Sequence, residues 1–101
     1  IHGHNYILDI TITGPINEAS GFIYDIQKLK QIVDKNVINV LDHSQIQEDI
    51  KWFKGKQPST ENLVLFIWEQ ISEHIKNPAK LYKIKLRETP TIFTEYFGPE
   101  N

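Results

Sequence analysis

The sequence predicts an α+β fold, an antiparallel four-stranded sheet with two helices on one face, from three observations. Stretches near residues 2–13 and 81–88 alternate apolar and polar side chains, the period of a half-buried strand. Stretches opening at Asp25 and Ser59 space their apolar residues three and four apart, the period of an amphipathic helix. The helical stretches follow one another between the strand pairs. The resulting order, β-β-α-α-β-β, segregates helices to one face instead of interleaving them with parallel strands.

Each element has its own justification. His2, His4, Tyr6, Leu8, Ile10 and Ile12 hold the even positions of the first strand, and from Asp9 onward the odd positions are polar; Ile7 breaks the pattern. Gly14-Pro15 ends this strand, and residues 16–20 read as a polar turn. Residues 21–24 are expected to return as the second strand of a hairpin. Asp25 is a candidate helix N-cap, followed by Ile26, Leu29, Ile32, Val33, Val37 and Val40 at helical spacing, with Leu41-Asp42-His43 near the helix end. Residues 45–57 are polar and irregular, anchored by Trp52-Phe53. Ser59 or Thr60 caps the second helix, whose apolar face runs from Leu63 to Ile75 before Asn77-Pro78 stops it. In the next strand Tyr82, Ile84 and Leu86 are expected to face one way and Lys83, Lys85 and Arg87 the other. Residues 92–97 form the last strand, closed by Gly98-Pro99.

The bulk properties bound the function. A chain of 101 residues makes one small domain, 1–101, and a domain of this size buries a modest share of its surface, so association with further copies is a natural remedy. A net charge of -2 implies no general attraction to nucleic acid or an anionic membrane. Cysteine is absent, which excludes disulfides and a cysteine nucleophile or ligand within this stretch. No apolar run approaches the roughly 18 residues of a membrane span. No signal peptide is visible, and a cytoplasmic location is expected. The sequence opens on Ile1 with a candidate metal ligand at position 2, so a preceding strand is expected to belong to the same domain.

Three places carry chemistry. His2 and His4, two apart on a strand, project to one face, which suits zinc and its nitrogen ligands; the alternative is a pair of polar residues at a strand end. Glu88 continues the row of Ile84 and Leu86, where a carboxylate requires a partner such as a ligand with adjacent N–H donors, unless the strand end bends into solvent. Asp42-His43 can serve proton transfer, or can cap the C-terminal end of its helix. His74, late in the second helix, is accounted for by the helix dipole.

Taken in order, these features resemble the 6-pyruvoyltetrahydropterin synthase / 6-carboxytetrahydropterin synthase family. His2-Gly3-His4-Asn5-Tyr6 is similar to the family's metal strand. Gly21 to Asp25 with Leu29-Lys30 resembles its Gly-x-x-x-Asp-Phe-x-x-Leu-Lys segment, with Ile26 in place of Phe. Leu41-Asp42-His43, Ser59-Thr60-Glu61-Asn62-Leu63, Glu88-Thr89 and Tyr96-x-Gly98 resemble further family motifs, and together they span nearly the whole chain.

The resemblance implies the tunnelling fold, in which subunits assemble through a barrel into trimers and hexamers with active sites at their interfaces. It implies a zinc-dependent carbon–oxygen lyase that acts on 7,8-dihydroneopterin triphosphate with loss of triphosphate, giving 6-pyruvoyltetrahydropterin. The alternative readings are a 6-carboxytetrahydropterin synthase of the queuosine route and a non-catalytic pterin-binding homologue. By the same resemblance His2 and His4 hold Zn2+ with a third histidine upstream, and Asp42 and His43 join an upstream Cys or Glu in proton transfer. Glu88 anchors the pterin ring, and Thr60 and Glu61 line its pocket. No nucleic acid or membrane partner is implied.

Overall fold

A computed structural model describes residues 6–42 and 46–99. In chain order the elements are β1 (Ile7–Thr13), α1 (Ile26–Val33), a π-helical turn (Asp34–Ile38), α2 (Asn39–Asp42), α3 (Ile46–Asp49), a 3-10 turn (Lys51–Phe53), α4 (Thr60–Ser72), β2 (Lys80–Arg87) and β3 (Phe93–Tyr96). The strands form one antiparallel sheet in the order β1-β2-β3. The α+β class holds.

Alternation sets the faces of the sheet. Leu8 pairs with Leu86, Ile10 with Ile84 and Ile12 with Leu81. These residues pack with Leu63, Val64, Phe66, Ile67 and Ile71 of α4 into a single core. Ile84 and Ile71 are fully buried, and full burial of such a side chain stabilises by about 1.5–3 kcal/mol relative to exposure. The other face is charged and cross-linked. Arg87 donates to Asp9 from two nitrogens at 2.9 and 3.1 Å, and Lys83 pairs with Glu95 at 3.3 Å.

Tyr82 departs from its expected side. Thr11 pairs with Lys83 and Ile12 with Leu81, so Tyr82 is the extra residue of a bulge. The irregularity turns Leu81 inward and leaves Tyr82 exposed, its ring edge-on to Phe97.

The expected strand over residues 21–24 does not form, because local hydrogen bonds occupy its backbone. Asn17 Oδ1 accepts from the amides of Ala19 and Ser20 at 3.0 and 3.1 Å. The Phe22 amide donates to Ser20 Oγ at 3.2 Å, and the Phe22 carbonyl accepts from the Asn17 amide at 2.9 Å. Such side-chain bonds compete directly with a sheet ladder. β1 instead pairs with β2.

The first helix is also interrupted. Asp25 caps it as expected, its Oδ1 accepting from the amides of Gln27 and Lys28 at 2.9 and 3.3 Å. The π-helical turn then widens the coil and rotates the apolar stripe. Val37 becomes fully buried while Val40, expected on the same stripe, is exposed.

The irregular stretch before α4 is held where the aromatic pair suggests. Phe53 is fully buried with its ring centroid 5.3 Å from that of Phe66. Trp52 stacks edge-on to both and donates to Glu69 Oε2 at 3.1 Å. Ser59, not Thr60, is the cap of α4, its Oγ accepting from the Asn62 amide at 3.2 Å. α4 ends at Ser72, ahead of the Asn77-Pro78 stop. The His74 amide donates to the Ile71 carbonyl and the Ile75 amide to the Ser72 carbonyl, three-residue bonds that tighten the last turn. No helix among the described residues is long and apolar enough to cross a membrane.

Candidate functional site

α4 and β3 lie side by side with the same polarity, and the sequence sets their match. Thr94 Oγ1 donates to Thr60 Oγ1 at 3.1 Å, and farther along the ring of Trp68 stands edge-on to Tyr96 with centroids 5.3 Å apart. Gly98 closes the contact against the Trp68 ring. The N-terminus of α4 is thereby fixed to the sheet.

Thr60, half-buried, is the first residue of α4, and its hydroxyl donates to Glu61 Oε1 at 3.0 Å. Glu61 itself is exposed. Thr94 stands opposite Leu86 on the inward row of the sheet. β2 ends at Arg87, and Glu88 follows it in a bend, two residues beyond Leu86. The β2-β3 hairpin closes there: the Glu88 amide donates to the Ile92 carbonyl at 2.9 Å, and Thr89 Oγ1 accepts from the Ile92 amide at 3.0 Å.

The Glu88 carboxylate is exposed. Its neighbour is Tyr6, which precedes the Ile7–Arg87 pair at the same end of the sheet. The Tyr6 hydroxyl is held above its ordinary pKa, first by burial and then by the negative charge of Glu88. An exposed carboxylate, which has two acceptor oxygens, beside a phenol suits a flat ligand that carries N–H donors.

The expected residues are therefore partly assembled. Thr60 and Glu61 touch, and Thr60 is tied to the strand that pairs next to Glu88. Asp42, at the end of α2, is exposed, and among the described residues no hydrogen bond or ion pair joins it to Thr60, Glu61 or Glu88. His2, His4 and His43 lie outside the described residues. Among the described residues no group of three His, Cys, Asp or Glu side chains is placed to hold a metal. Tyr6 and Thr94 were not singled out from the sequence. Their signal was parity: Tyr6 continues the row of His2 and His4, and Thr94 is a polar residue two before Tyr96 on the row that meets α4.

A cleft of about 770 Å³ opens elsewhere, between the loop after β1 and the turn before β2. Phe22, Ile23, Ile26, Lys28, Lys76 and Pro78 line it, and it contains none of the expected site residues. The Thr13–Lys80 pair marks that end of the sheet, whereas Glu88 is at the other.

Comparison with known proteins places this geometry in context. Residues 1–99 match the family model described as 6-pyruvoyl tetrahydropterin synthase. The chain is 38% identical over 98 residues to a Drosophila melanogaster 6-pyruvoyl tetrahydrobiopterin synthase, covering 97% of this chain and 58% of that protein. It is 39% identical over 97 residues to the Dictyostelium discoideum protein of the same name, covering 96% of this chain and 70% of that protein. The solved structure of Caenorhabditis elegans 6-pyruvoyl tetrahydropterin synthase superposes with a TM-score of 0.86 at 33% identity, over 97% of this chain and 69% of that one.

Proposed function

From its place in the 6-pyruvoyl tetrahydropterin synthase family, to which this chain belongs, we propose that the protein is a carbon–oxygen lyase that converts 7,8-dihydroneopterin triphosphate to 6-pyruvoyltetrahydropterin with loss of triphosphate. The observation that carries the reading is the exposed Glu88 carboxylate beside Tyr6, at the end of the sheet to which Thr60 is also tied.

In this reading Glu88 accepts hydrogen bonds from the adjacent N–H donors at the edge of the pterin ring. Charge-assisted bonds of this kind contribute about 1.5–3 kcal/mol each. Thr60 and Glu61 border the same ring. Held at that edge, the ring fixes the position of its side chain, the orientation on which the chemistry depends. Asp42 and His43 belong to the proton-transfer set that takes a proton from a side-chain carbon, and triphosphate leaves. His2 and His4 are the proposed zinc ligands; they share sequence parity with Tyr6, the neighbour of Glu88. When bound, zinc supplies Lewis-acid polarisation of the substrate's side-chain hydroxyls.

The proposal includes assembly into trimers and hexamers in the cytoplasm. Among the described residues the outer edges of β1 and β3 have no strand partner, and unpaired edges invite pairing with another copy. The full-length protein should sediment as such an oligomer and not as a single chain.

Incubation of the full-length protein with 7,8-dihydroneopterin triphosphate, followed by mass identification of the pterin, tests the activity. The expected product is 6-pyruvoyltetrahydropterin together with inorganic triphosphate. A 6-carboxy product, or unchanged substrate with metal bound, contradicts it.

A further inference from the structure

The Thr94, Thr60 and Glu61 side chains form a chain of hydrogen bonds whose direction is fixed by chemistry. An ionised carboxylate only accepts, so Thr60 must give its single proton to Glu61 Oε1, 3.0 Å away. Thr60 then has nothing left to donate, and the 3.1 Å contact with Thr94 requires that Thr94 donate. The Thr60 oxygen accepts one bond from Thr94 and keeps one lone pair. Any ligand group that meets it must be a donor.

Thr94 is well built for this part. It sits in the β2-β3 ladder opposite Leu86, so its backbone is held by the sheet. A β-branched side chain has little freedom about χ1, and this one is half-buried against α4. Thr60, by contrast, is the first residue of its helix, where termini fray most readily.

We propose that Thr94 is a positioning residue for ligand binding: its hydroxyl holds Thr60 Oγ1 as a pre-oriented hydrogen-bond acceptor toward an N–H donor of a bound pterin. The inference rests on the reading that Thr60 and Glu88 border a pterin pocket. Thr94 does not touch the ligand. It fixes both the place and the polarity of the group that does, so less ordering is left to occur on binding.

The test is calorimetric titration of neopterin into the full-length protein and its variants, with thermal unfolding as a check of folding. Thr94→Val should weaken binding about threefold to tenfold, the range for one ordinary hydrogen bond. Thr94→Ser, which restores the hydroxyl, should bind as the unaltered protein does. In a Thr60→Val background, Thr94→Val should have no further effect, since the hydroxyl it positions is gone. If Thr94→Val fails to fold, Thr94→Ala carries the same expectations. Wild-type affinity in the Thr94 variant, or an equal loss with and without the Thr60 hydroxyl, overturns the proposal. Where Glu88→Gln and Thr60→Val weaken binding but Thr94→Val does not, only the role of Thr94 fails. Where neither Glu88→Gln nor Thr60→Val alters binding, the pocket reading itself fails and this inference with it.

Discussion

Tyr24 is half-buried where the chain leaves its first loop, and its hydroxyl reaches the His74 carbonyl at 3.4 Å. Burial, and secondarily the negative charge of Asp25, raise its pKa above the ordinary 10.0. Above pH 10 the unfolded chain therefore releases this proton before the folded one does. Folding stability falls as pH rises from that point through the raised value. Chemical denaturation across this alkaline window should show a shallower loss for Tyr24→Phe than for the parent, and identical slopes would count against the assignment. Residues with a single local role were legible in the sequence. Asp25, and Ser59 or Thr60, were expected at helix starts, and Asp25 and Ser59 cap them, because a cap needs only its own side chain and the next few amides. Glu88 was legible as a carboxylate at a strand end, and of its two expected placements the structure has the one that bends into solvent, since β2 stops at Arg87. Thr94 was not legible, because its meaning depends on a helix 34 residues away in sequence.

At the scale of elements, the contact of α4 with β3 depends on Gly98. A Cβ there would meet the Trp68 ring at 2.7 Å, and the backbone has φ +99°, a conformation side chains rarely adopt. Gly98→Ala should destabilise the fold by about 1–3 kcal/mol, from overpacking and backbone strain together. Equilibrium unfolding in urea checks this, and an unchanged midpoint would show that Trp68 yields freely. The same scale holds most of what the sequence did not reveal. Period-two alternation correctly located β1 and β2, but parity cannot report a bulge, so Tyr82 was assigned to the wrong side. Helical spacing located α1 but not the π-helical turn, which preserves apolar residues while rotating the face they occupy. Residues 21–24 lack a strand because Asn17 and Ser20 claim the backbone nearby, a competition that alternation does not register.

Over the whole molecule, the sheet has two dissimilar ends. One carries Tyr6 and Glu88, with Thr60 held alongside by Thr94. The other carries the cleft of about 770 Å³ beneath Phe22 and Ile26. The cleft is large enough to admit a small ligand. Chemistry favours Glu88, since an exposed carboxylate supplies the acceptors that a pterin edge requires, whereas the cleft mixes apolar side chains with Lys28 and Lys76. Titration of neopterin into the full-length protein, Glu88→Gln and Ile26→Ser decides between the ends. Gln keeps the shape of Glu but places a donor where an acceptor is needed. Ile26 is already 65% exposed, so its replacement alters the cleft with little cost to the fold. The account predicts that Glu88→Gln weakens neopterin binding at least about tenfold, or ~1.4 kcal/mol, with zinc content unchanged, while Ile26→Ser binds as the parent does. Parental affinity in Glu88→Gln with a loss in Ile26→Ser would contradict it and move the pterin to the opposite end of the sheet.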